Sequence, residues 1–201
     1  SHKAFGEALA ILAGDGLLTL AFASAAESAR DCRLGAADTA ELIRVIAAGA
    51  GTSGMVGGQV ADLGAEKWRG RLSRPRAARL LEYIHLHKTG ALITASLEAG
   101  AILAGATAAQ RRSLRGYARA IGLSFQVADD ILDVVGDKRK LGKKGSDAAN
   151  QKLTYVSLYG LERARAEAAR LTRRAHAALK PFGRRAAVLH ELAHYIVARD
   201  R

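Results

Sequence analysis

An all-α bundle is the fold class this sequence predicts, and three observations predict it. Apolar residues recur at helical intervals throughout, no segment sustains a two-residue alternation, and alanine is abundant while only 2 of 201 residues are proline. With 49% hydrophobic and 25% charged residues, the chain is long enough to bury a continuous core in a single domain, residues 1–201. The same composition excludes disordered and proline-rich or collagen-like classes. A lone cysteine, Cys32, excludes an internal disulfide framework and a cysteine-based zinc cluster. No run approaches eighteen uninterrupted apolar residues, and the first residues lack the apolar core of a signal peptide. The expectation is a cytoplasmic protein with no membrane span.

The elements follow in order. A first helix over about 3–28 carries Phe5, Leu9, Leu12 and Leu20 at helical intervals. After a break at Gly35, a second over about 37–50 presents Leu42, Val45 and Ile46. The glycine-rich stretch 49–58 reads as a tight helix–helix junction. Pro75 fits the first turn of a long helix, about 75–104, with Ser73 as its cap. Another helix runs from about 109 to 136, and the polar, Lys- and Gly-rich residues 137–150 read as a loop. Helices return over about 151–179 and 183–199, with Pro181 between them. No internal repeat is visible.

The net charge of +12 is local. Residues 1–136 hold 15 Lys/Arg against 13 Asp/Glu, whereas residues 137–201 hold 16 against 6. Such an excess suits an anionic partner near the C-terminal third, or solvated Arg-rich helix faces.

The sharpest feature is acidic. Asp129 and Asp133 are four residues apart and Asp130 and Asp133 three apart, so all three share one helix face, with Gln126 a turn before. Ile131, Leu132, Val134 and Val135 occupy the other faces, which places the helix inside a bundle and its carboxylates on a cavity. Like charges at this spacing repel by about 0.2–0.5 kcal/mol per exposed pair, more where water is scarce. A divalent cation relieves that repulsion, and oxygen-only ligands favour magnesium, which shares itself with substrate phosphates.

Basic groups can oppose this stripe. Lys88 lies mid-helix in an apolar run, where an ammonium is costly unless it meets an anion. Lys143 and Lys144 sit in the Gly-flanked loop, with Lys152 just beyond. Magnesium on one wall and lysines on the other make a site for a diphosphate, because both neutralise charge growing on a departing phosphate oxygen.

Residues 122–137, Gly-Leu-Ser-Phe-Gln-Val-Ala-Asp-Asp-Ile-Leu-Asp-Val-Val-Gly-Asp, resemble the second aspartate-rich motif of the trans-isoprenyl diphosphate synthases (polyprenyl synthetases, such as farnesyl and geranylgeranyl diphosphate synthases). The resemblance extends in family order over residues 10–18, 54–62, 87–92, 141–143, 152–155, 160–162 and 192–201. It implies a bundle of mostly antiparallel helices around a central cavity, assembled as a homodimer. It implies magnesium-dependent chain elongation, in which an allylic prenyl diphosphate ionises to a carbocation that the double bond of isopentenyl diphosphate attacks. By matching positions, Asp129, Asp130 and Asp133 would hold magnesium. Lys88, Thr89, Gln126, Lys143 and Lys152 would contact the allylic diphosphate, with Gln59 and Asp62 beside them.

One departure is large. The family's first Asp-Asp-x-x-Asp helix and its Arg-Arg-Gly turn precede the point matched by Ser1, so the chain reads as truncated at its N-terminus, and these 201 residues alone are expected to have little activity. The alternative is a non-catalytic homologue or regulatory subunit. A nucleic-acid partner is not expected, because it leaves the carboxylate stripe unexplained. His190-Glu-Leu-Ala-His194 matches a zinc-protease pattern, but no third protein ligand is apparent in the seven residues after it.

Overall fold

The computed structural model describes residues 1–67, 71–136 and 152–198. Its elements are α1 (His2–Phe5), α2 (Glu7–Asp31), α3 (Ala36–Ala50), α4 (Met55–Lys67), α5 (Arg74–Ile84), a π-helical segment (His85–Thr89), α6 (Gly90–Leu103), α7 (Ala108–Val135), α8 (Tyr155–Tyr159), α9 (Leu161–Leu179), a 3₁₀ segment (Lys180–Ala186) and α10 (Ala187–Ala198). No strand occurs among the described residues.

Local chemistry starts and stops the helices. Thr107 accepts from the Gln110 N–H while Gln110 Oε1 accepts from the Thr107 N–H, a capping box that fixes the start of α7. Thr154 and Ser157 repeat the device at α8. Ser73 does occupy the N-cap of α5 with Pro75 in the first turn, but its side chain makes no capping hydrogen bond. The long helix expected over 75–104 is interrupted by the π segment, and the helix expected from 151 is broken at Gly160, whose φ of 82° is accessible mainly to glycine. The expected loop over 137–150 lies outside the described residues, as does Trp68.

Three apolar clusters hold the bundle. Tyr117, Ile121, Leu179 and Ile196 join α7, α9 and α10; Ala25, Leu42, Val45 and Ile102 join α2, α3 and α6; Val127, Ala164, Ala168 and Leu171 join α7 and α9. Tyr117 is fully buried and its hydroxyl donates to the Leu189 carbonyl at 2.6 Å; burial pushes the phenol up to about 12.

Buried Glu98 of α6 ties three helices together. It accepts from Arg111 at 2.6 and 2.8 Å and from Arg115 at 2.6 Å, and Arg111 also reaches Glu41 of α3 at 3.2 Å. The hydrogen bond from Arg44, with help from Arg111, holds the Glu41 carboxyl down to about 2. Glu98→Ala leaves the half-buried Arg111 guanidinium short of its main partner and is expected to lower stability by on the order of 3 kcal/mol. Urea unfolding checks this; a loss under about 1 kcal/mol would mean that the network behaves as a surface one.

The histidines of the zinc-like pattern pack elsewhere. His176 of α9 stacks on His190 with ring centroids 4.7 Å apart and lies 4.6 Å from His194, and the Nδ1 atoms of His176 and His190 are in direct contact. Burial, then the neighbouring His194 and His190, hold His176 below the usual histidine pKa. The unfolded chain therefore binds this proton more readily, so stability is complete above pH about 6.5 and is lost as pH falls below it. Thermal midpoints between pH 7.5 and 5.5 should fall for the wild type and fall less for His176→Phe.

Helix α2 keeps the helical period expected over about 3–28, yet Leu9, Ile11, Leu12, Leu17 and Leu20 are exposed, and only Ala25 and Ala29 are buried. By length and composition α2 is also apolar enough to cross a membrane. The run of eighteen uninterrupted apolar residues is still absent, since Asp15 and several Gly, Thr and Ser interrupt it, but the helix's mean hydropathy stays high.

Candidate functional site

The acidic stripe lies on α7, with Gln126, then Asp129 and Asp130, then Asp133 on three successive turns. Asp130 and Asp133 are buried, while Asp129 and Gln126 are half-buried. Asp130 is fastened from behind: its Oδ2 accepts from the Tyr155 backbone N–H at 2.6 Å, at the start of α8, and lies 3.8 Å from His85 Nε2. Burial lowers the His85 pKa to about 4, so at neutral pH this contact is a polar one and not an ion pair.

The π segment forms the opposing wall, packed against α4, α6 and α7. Its wider turn closes with the Gly90 N–H on the His85 carbonyl. Such turns are rare and re-aim side chains. Here the turn carries His85 inward and Lys88 toward α4, where Lys88 Nζ meets Asp62 Oδ2 at 2.6 Å. The anion that Lys88 requires is therefore Asp62. Gln59 stands one turn earlier on α4 and Thr89 ends the segment, both half-buried. His87 bonds the Tyr83 carbonyl through Nδ1 at 2.8 Å and stacks on its ring, a structural role.

Two glycines make this approach possible. Gly58 of α4 lies against the Lys88 backbone, and a Cβ on Gly122 of α7 would sit 2.9 Å from Gly90 Cα. The structure thus brings together Gln59, Asp62, Lys88 and Thr89 on two touching elements beside the helix of Gln126 and the three aspartates. Lys152 is exposed just ahead of α8. Lys143 lies outside the described residues. Sequence reasoning missed His85 and the Tyr155 N–H as partners of Asp130; the π turn has no sequence signature that would have revealed them.

Among the described residues no three carboxylates or imidazoles converge as a ready-made metal cluster. Magnesium does not need one, since it keeps several waters and binds through one or two carboxylates plus phosphates. Three hard oxygen donors along a buried to half-buried stripe fit that mode.

Fold and site together define a class: an all-α protein with a carboxylate stripe on one helix set beside a lysine paired with an aspartate. The chain belongs to the polyprenyl synthetase family, whose model matches residues 1–191. It is 46% identical over 206 residues to the chloroplastic geranylgeranyl pyrophosphate synthase of Capsicum annuum, covering 100% of this chain and 53% of that protein. It is 43% identical over 201 residues to the farnesyl diphosphate synthase of Geobacillus stearothermophilus, covering 65% of that protein. Among solved structures, an FPP/GFPP synthase from Zymomonas mobilis matches with TM-score 0.78 and 39% identity over 98% of this chain and 63% of that one. A geranyltransferase of Helicobacter pylori complexed with magnesium and isoprenyl diphosphate matches with TM-score 0.73 and 32% identity, over 98% of this chain and 61% of that one. The chain thus spans between about half and two thirds of these relatives.

Proposed function

We propose that this chain carries the diphosphate-binding half of a trans-prenyltransferase, which joins an allylic prenyl diphosphate to isopentenyl diphosphate. The observation that carries the reading is the α7 stripe with Lys88 held beside it. Asp129, Asp130 and Asp133 would hold magnesium, which when bound neutralises charge on the departing diphosphate. Lys88 exchanges Asp62 for a diphosphate oxygen as the allylic substrate enters, and Thr89 and Gln126 donate hydrogen bonds beside it. Lys152 supplies a further cation to the same group, and the family resemblance implies the same role for Lys143. The allylic C1–O bond breaks with its electron pair leaving on the diphosphate. The isopentenyl double bond then forms the new C–C bond, and a proton is lost from the adjacent carbon. Burial of Asp130 and Asp133 keeps the field of these charges strong.

The family resemblance implies a homodimer, and the exposed Leu9, Leu12 and Leu20 of α2 offer an apolar face for a second copy of the chain. Completed with the family's first aspartate-rich segment, the chain given magnesium, geranyl diphosphate and labelled isopentenyl diphosphate should yield a labelled, chain-extended diphosphate, and chelation with EDTA should stop it, whereas the 201 residues alone should yield little. Absence of product from the completed protein at any magnesium concentration would favour the non-catalytic homologue.

A further inference from the structure

On the far side of α7 from Asp129, between α5, α7, α8 and α9, lies a second cavity of about 600 Å³. None of Lys88, Thr89, Gln126, Asp129 and Asp133 lines it. Its floor is apolar, built from the buried Leu81, Val127 and Leu171. Its rim is basic. Four guanidiniums, Arg79, Arg119, Arg170 and Arg174, stand against two carboxylates, Glu82 and Glu167. Arg119 is matched by Glu82 at 3.5 Å and Arg170 by Glu167 at 2.6 Å. Arg79 and Arg174 have no side-chain partner among the described residues.

The volume suits a small organic ligand, and the layout, an apolar floor under two unmatched guanidiniums, suits an amphipathic one. Guanidinium binds phosphate in a planar, bidentate fashion that an exposed carboxylate rim would oppose, and here both rim carboxylates are already engaged by other arginines. Tyr155 and Tyr159, with rings 4.6 Å apart, add an aromatic wall. We propose that this cavity is a second ligand site, separate from the stripe, for a phosphate ester with an apolar tail. The tail lies on Leu81, Val127 and Leu171, and the phosphate is gripped by Arg79 and Arg174. An occupant would also touch His85 and Tyr155, the two residues in contact with Asp130, and so bear on the stripe from behind.

Calorimetric titration of the purified protein with farnesyl monophosphate in EDTA tests the site without magnesium and without any prenyl transfer, so its outcome is independent of the proposed reaction. Saturable binding is expected, at least about tenfold tighter than that of inorganic phosphate. Arg79→Glu/Arg174→Glu should weaken it at least about tenfold and the milder Arg79→Gln/Arg174→Gln at least about threefold, whereas Lys88→Ala should leave it within about twofold. Both arginines are exposed, so these variants should fold, which circular dichroism verifies. No binding to the wild type, equal affinity in both arginine variants, or loss of binding in Lys88→Ala would each overturn the proposal.

Discussion

In the intact enzyme, Asp129→Ala is expected to lower turnover in the proposed reaction by at least about 100-fold while leaving the fold largely intact. The position separates chemistry from stability better than its neighbours do. Asp130 is buried and accepts the Tyr155 N–H, so its removal would strand a backbone donor and loosen α8. Asp133 is buried as well. Asp129 is half-buried, alanine is the better helix former, and loss of one of three crowded carboxylates relieves repulsion of about 0.2–0.5 kcal/mol per pair. The helix should therefore persist in this variant. Steady-state kinetics over a magnesium series, with a melting curve for each sample, checks both halves. A wild-type rate would refute the metal role given to Asp129, and a falling midpoint would show that its carboxylate supports the fold.

What the sequence made legible was whatever is encoded locally. The helix expected over 37–50 is Ala36–Ala50, and the one expected over 109–136 is Ala108–Val135, because Thr107, Gln110 and the following apolar period sit within a turn of one another. The stripe was legible for the same reason: the spacing of Asp129, Asp130 and Asp133 is a property of one helix. Partners from distant segments were not. Lys88 announced by its apolar surroundings that it needed an anion, but Asp62 is 26 residues away and the contact depends on how α4 docks. The π turn at His85–Thr89 is set by packing against three helices, which no local pattern records. For α2 the period was legible but its exposure was not, since periodicity reports an apolar face without saying what covers it.

The docking of α4 leads to the second large effect. A Cβ added at Gly58 would sit 2.1 Å from the Lys88 N and 2.6 Å from both the Lys88 Cα and the His87 carbonyl carbon. These are backbone atoms, so no rotamer change relieves the clash and the two elements must separate. Overpacking of this kind costs about 1–3 kcal/mol or more, against at most about 1 kcal/mol gained from alanine's helix propensity. The separation also breaks the 2.6 Å Lys88–Asp62 contact and shifts Lys88, and a displacement of about 1 Å in a positioning group can cost about 100-fold in rate. Gly58→Ala should therefore lower both the urea midpoint and turnover. Gly64→Ala, on the same helix with nothing within 4 Å of its Cβ, should instead stabilise the protein by about 0.4–1 kcal/mol at unchanged rate. If the two variants behaved alike, α4 would not press on the Lys88 backbone, and the placement of Lys88 beside the aspartate stripe would lose its structural cause.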